Sequence, residues 1–193
     1  MEASIPKSVL RTKAIPDGVI GMIFLLFTEC MFFAGLISAL VVNRAGAGNW
    51  PPEGQPRLPV EITFLNTCVL LLSALALFFF NQKYKSTKNR IPLFFSIGLG
   101  ILFLIIQGSE WIRLLGYGLT TKSSLYGAFF YLIIGSHAIH ALAGICILLY
   151  LSFTLKRNNN SDKIENKITV CSMYWYFVVG IWPVLYWLVY LSK

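Results

Sequence analysis

An all-α membrane protein, a bundle of five transmembrane helices, is what this sequence predicts, and three observations carry the prediction. Hydrophobic residues make up 56% of the chain and charged residues only 12%, which is too apolar for a soluble domain of 193 residues. Five apolar runs of membrane-spanning length follow one another, separated by shorter polar stretches. The basic residues lie in those polar stretches and form no face of their own. The net charge of +8 is therefore a topology signal, and no nucleic-acid partner is expected.

Residues 1–17 read as a polar N-terminal arm, which does not fit a cleavable signal peptide, and residues 18–193 as one membrane domain. The first span is expected over 18–42. It is followed by NRAGAGNWPPEGQPRLP, where the consecutive prolines Pro51 and Pro52 exclude helix. The second span, 61–81, turns through the basic stretch QKYKSTKNR into the third, 91–115; connections this short make neighbouring helices antiparallel. The fourth span, 125–152, carries the only two histidines and no formal charge, and the charged stretch KRNNNSDKIENK leads to the last, 169–191. There Pro183 removes the N–H that would bond the carbonyl of Val179, which predicts a kink, and Trp187 and Tyr190 read as interfacial anchors.

Five spans put the termini on opposite sides. Eleven basic residues fall on the side of Lys7, Arg11 and Lys13, Lys83 to Arg90, and Lys156 to Lys167, against five on the other (Arg44, Arg57, Arg113, Lys122 and Lys193), so the N-terminus is expected in the cytoplasm. The sequon Asn159-Asn160-Ser161 then lies inside and has no meaning. Cys30, Cys68, Cys146 and Cys171 lie in apolar runs without metal-site spacing and read as small buried hydrophobes. No internal repeat supports a transporter.

Three ionisable side chains fall near mid-membrane. Glu29 is about eleven residues, or roughly 17 Å, into the first span, and His137 and His140 reach the same depth in the fourth. His137, His140, Ala141 and Gly144 share one helical stripe whose small residues admit a neighbouring helix. An unpaired ionisable group at that depth is costly, so Glu29 and one of the imidazoles are expected to share a hydrogen bond across a polar seam. A proton relay through Glu29 would need a chain of polar neighbours, and its helix supplies mainly Thr28 and Ser38. A carboxylate-bridged metal site would need a Glu-x-x-His pair, which is absent. Glu110 lies nearer the outer end of its span than the histidines. With both histidines on one helix, no haem or metal is expected in this chain.

The stretches GMIFLLFTECMFF, WPPEGQPRLPVEITFLNTCVLLLSALAL, IIQGSEW, YGAFFYLIIGSHAIHALAG and YWYFVVGIWPVLY closely resemble, in the same order, subunit III of the heme–copper oxidases in its shorter, five-helix bacterial form. Glu29, Glu61, Asn66, Thr67, Gln107, Glu110, Gly127, His137, His140, Gly144, Tyr174, Trp175 and Trp182 stand where that family has the same residues. Tyr176 and Val179 depart from it, replacing a usual histidine and aspartate. The resemblance implies a non-catalytic subunit of a proton-pumping respiratory complex in the bacterial plasma membrane. Haem and copper would be held by subunits I and II. This chain would pack on subunit I with other subunits and phospholipids, supporting proton uptake and protecting the active site during turnover. The glutamate matched by Glu29 is also linked there to oxygen access. Longer relatives carry two more N-terminal helices that enclose a lipid-filled cleft, which here would need a neighbouring subunit. A homologue associated with nitric oxide reductase and, outside the family, a small transporter or channel are the alternatives.

Overall fold

The computed structural model describes residues 16–157 and 161–192. They form five helices, each long and apolar enough to cross a membrane: α1 (Asp17–Ala45), α2 (Val60–Thr87), α3 (Ile91–Gly116), α4 (Leu125–Arg157) and α5 (Ser161–Tyr186), the last passing into a π-helical turn, Trp187–Leu191. No strand occurs among the described residues. The arm over 1–15 and the sequon residues Asn159 and Asn160 lie outside them.

Local chemistry sets the helix ends. Pro16 precedes α1 and Pro59 precedes α2, where the missing N–H costs nothing, and Asp17 and Glu61 stand in the first turns where negative charge suits the helix dipole. Asn89 accepts from the Ile91 N–H at 2.9 Å as α3 begins. At its far end the Leu119 N–H reaches the Leu114 carbonyl and the Gly118 N–H that of Leu115, both at 3.0 Å. Gly118 at φ +87° makes that Schellman closure possible, with Leu114 and Leu119 both buried beside it.

Three helices extend well past the apolar runs. α2 reaches Thr87, α4 reaches Arg157, and α5 begins at Ser161, so the end of the stretch expected as a charged loop is helical. The reason lies in Ile164 and Ile168. They are buried four residues apart and carry the apolar face of α5 through its charged first turns.

α5 is the hub, packed against α1, α2 and α4, with Trp175 and Trp182 fully buried along it. Its contact with antiparallel α2 is a ladder of hydrogen bonds. The Trp175 indole N–H donates to Ser73 Oγ and that of Trp182 to Thr67 Oγ1, both at 2.9 Å. Ser172 Oγ donates to Asn81 Oδ1 and Asn81 Nδ2 to the Tyr176 hydroxyl, both at 3.1 Å, and the Tyr186 hydroxyl donates to the Val60 carbonyl at 3.1 Å. Lipid tails give helices no hydrophobic reason to associate, so such bonds and close packing hold the bundle together. Glycine makes the packing close. A Cβ on Gly144 would stand 2.6 Å from Trp175 Cε3, and one on Gly100 2.8 Å from its Cη2, so the indole is gripped between α3 and α4.

α1 is peripheral, with only Met22, Phe33 and Leu40 buried. Two expectations change here. Cys30 and Cys146 are exposed and only Cys171 is buried, since an apolar solvent does not force a small thiol inward. Tyr190 is no surface anchor: it continues the buried stripe of Trp182 and Tyr186 at four-residue spacing, and its hydroxyl accepts from Gln107 Nε2 at 3.1 Å. Trp187 stays outward.

Candidate functional site

Glu29 of α1 and His140 of α4 meet at the seam between their helices, with His140 Nε2 2.7 Å from Glu29 Oε2. The other ring nitrogen fixes the proton count. His140 Nδ1 lies 2.7 Å from the Ser136 carbonyl, which can only accept, so Nδ1 carries a hydrogen. Nε2 then either accepts from a protonated Glu29 or, as imidazolium, donates to its carboxylate. Both arrangements are neutral as a pair and differ only in the position of one proton. Neither leaves an isolated charge in the membrane. The two side chains are 20% and 17% exposed, so the pair sits at the margin of the bundle and not in its centre.

His137, one turn earlier, is fully buried and does not reach Glu29. Its ring lies 4.8 Å from that of Trp182, 6.1 Å from Phe103 and 6.4 Å from Phe33, and neither of its nitrogens has a hydrogen-bond partner among the described residues. Phe33 packs edge-on to His140 as well, at 5.1 Å, so one ring from α1 touches both imidazoles. The stripe placed both histidines on one face and did not choose between them; as α1 lies, with Phe33 buried, Glu29 meets His140.

The remaining acidic and amide positions lie apart from this pair. Glu110 is buried in α3 and pairs with the exposed Arg113, one turn on, at 3.2 Å. Gln107 binds Tyr190, while its Oε1 and Asn66 Oδ1 are buried without a protein partner among the described residues; Asn66 Nδ2 donates to the Phe103 carbonyl at 3.2 Å. Glu61 stands exposed in the first turn of α2. Among the described residues no three His, Cys, Asp or Glu side chains converge as metal ligands. The α2–α5 ladder was not anticipated from the sequence, although Ser73, Thr67 and Asn81 are polar residues in an apolar span and signal interhelical bonds.

Glu29→Gln keeps a donor and an acceptor opposite Nε2 and is expected to be mild. Glu29→Leu leaves Nε2 unpaired and is expected to cost about 0.6 kcal/mol, with about 1.7 as an upper value. Thermal midpoints of the solubilised chain test this, and glutamine as damaging as leucine would defeat it.

A family model described as cytochrome c oxidase subunit III matches residues 6–192. The chain is 33% identical over 178 residues to a probable cytochrome c oxidase subunit 3 of Nocardia farcinica, covering 90% of this chain and 87% of the relative. It is 32% identical over 177 residues to cytochrome c oxidase subunit 3 of Corynebacterium diphtheriae (89% and 86% covered), and 29% identical over 186 residues to that of the antelope Damaliscus lunatus (91% and 70% covered).

Proposed function

The chain belongs to the cytochrome c oxidase subunit III family, and from that premise we propose that it is a non-catalytic subunit of a proton-pumping terminal oxidase. In this reading it packs on subunit I, in contact with subunit II and phospholipids, and it supports proton uptake and the endurance of the active site. The observation that carries the non-catalytic reading is the state of the two imidazoles. Both nitrogens of His140 are engaged, one with Ser136 and one with Glu29, and the buried His137 is enclosed by aromatic rings, so neither imidazole stands open to a haem or copper outside the bundle. Haem and copper are accordingly assigned to the partner subunits.

The test is purification through a tag on this chain. Haem and copper spectra together with oxygen consumption in the purified complex are expected. A partner with haem and non-haem iron but no copper would move the chain to a nitric oxide reductase, and a chain that purifies alone would remove the oxidase assignment.

We place it in the plasma membrane of a bacterium with its N-terminus in the cytoplasm. The support is the excess of basic residues at the end of the bundle that carries Lys83, Lys88, Arg90, Lys156, Lys163 and Lys167. A single cysteine at position 161, in a chain otherwise freed of cysteine, is expected to react with impermeant reagent only from the inside. Labelling from outside alone would invert the topology.

A further inference from the structure

Half-way along the bundle four helices close a ring of contacts. Asn66 of α2 donates through Nδ2 to the Phe103 carbonyl of α3 at 3.2 Å, and the Phe103 ring lies 4.9 Å from that of Trp182 on α5 and 6.1 Å from that of His137 on α4. The Trp182 indole N–H then returns to α2 at Thr67, next to Asn66. Gln107 stands one turn on from Phe103 on the same face of α3. Asn66, Gln107 and His137 thus come from three helices to within a turn of one level, and none is more than 2% exposed. Four of their polar atoms have no partner among the described residues: Asn66 Oδ1, Gln107 Oε1 and both ring nitrogens of His137.

These atoms define what can join them. The Asn66 amide cannot turn round, because its Nδ2 faces a carbonyl that only accepts, and Gln107 keeps its oxygen free while its Nε2 donates to Tyr190. A neutral imidazole adds one N–H and one lone pair, so the set holds three acceptors and one donor. A cation would suit the acceptors, but a charge buried here needs a counter-charge. The carboxylates of the neighbouring spans, Glu110 and Glu29, are committed to Arg113 and His140. We propose that this layer binds an ordered water molecule, which accepts the His137 N–H and donates to Asn66 Oδ1 and Gln107 Oε1. Three hydrogen bonds are usual for a buried water, and one molecule then pairs three of the four atoms. It fastens α2, α3 and α4 to one point at mid-membrane and gives His137 the partner that Glu29 gives His140. A way in lies at Tyr190, which holds Gln107 and also lines a cavity of about 560 Å³ beside the loop over 50–58. The site rests on no assumption about which complex the chain joins.

A density map of the full chain with the subunits that accompany it, at a resolution that shows ordered water, is expected to hold a peak about 2.7–3.2 Å from a ring nitrogen of His137 and from both amide oxygens. The double variant Asn66→Leu/Gln107→Met removes both oxygens at similar volume and is expected to lose the peak, and Gln107→Met alone to weaken it. The full chain in lipid nanodiscs, with its only two histidines labelled by 15N, supplies a second readout. One imidazole N–H, identified by its loss in His137→Phe, is expected to receive magnetisation from water in the wild type and to stop receiving it in the double variant. No peak in the wild type, a ring nitrogen of His137 bonded directly to either amide, a peak that disappears when sodium is replaced by choline, or a peak or water signal unchanged in the double variant would each overturn the proposal.

Discussion

Valine in place of Gly144 is expected to lower the stability of the bundle by about 3 kcal/mol, the upper part of the range for overpacking a filled core. The first carbon of any side chain there would meet Trp175 at 2.6 and 2.9 Å, and the indole cannot retreat. Gly100 of α3 lies against its other atoms so closely that a Cβ there would stand 2.8 Å from Cη2, and the indole N–H is committed to Ser73. The ring must therefore leave its slot or α4 must move away from α5. Unfolding of the solubilised chain by denaturing detergent would measure the loss. Coupling supplies a second check. Gly144→Ala combined with Trp175→Phe, which removes the clashing part of the ring, is expected to be less damaging than the sum of the two by about 1 kcal/mol. A Gly144→Val protein within about 0.5 kcal/mol of the wild type would show that the indole is not gripped, since only surface changes are ordinarily so mild.

Gly127→Ala is expected to be as severe for its size, at about 2 kcal/mol, though its damage stays local. A Cβ at this position would stand 2.3 Å from the Thr120 carbonyl and 3.1 Å from Ser123 Oγ. Backbone cannot turn aside as a side chain can. The turn over Thr120 and Ser123 must then open, and with it the bond from the Gly127 N–H to Ser124 Oγ at 3.1 Å that starts α4. Hydrogen exchange is expected to quicken over residues 119–131 and to stay unchanged near His140. Uniform quickening along α4 would contradict a local effect.

Much of this was legible in the chain, for identifiable reasons. Apolar runs of membrane length bounded by prolines and basic turns gave five helices, and equal depth brought Glu29 level with the histidines. The choice between His137 and His140 was not legible, because it depends on how α1 is rotated against α4, where Phe33 packs on both rings. The start of α5 was concealed by its charges. A reading by hydropathy loses the helix among Lys163, Glu165 and Lys167, whereas Ile164 and Ile168 at four-residue spacing carry the signal. Tyr190 misled in the opposite way: an aromatic near a span end suggests an anchor until its spacing from Trp182 and Tyr186 is taken into account. Gly127 matched the family as a letter in a motif, and Gly144 read as a small residue that admits a neighbouring helix. Their physical reason, a carbonyl behind one and an indole behind the other, came only with three dimensions.

The shallow seating of α1 gives the Glu29–His140 bond a role that its modest strength conceals. With three buried residues and a smooth apolar surface toward lipid, α1 has little to stop it slipping lengthwise along α4 and α5. A slip of one turn moves the carboxylate by about 5.4 Å, far outside hydrogen-bond reach of Nε2. Only one axial position of α1 satisfies both Glu29 at mid-height and Arg44, which donates to Ser192 Oγ at 2.6 Å near the helix end. The two contacts work as a pair of latches on a sliding bolt: weak against being pulled away, decisive about where along its travel the helix comes to rest.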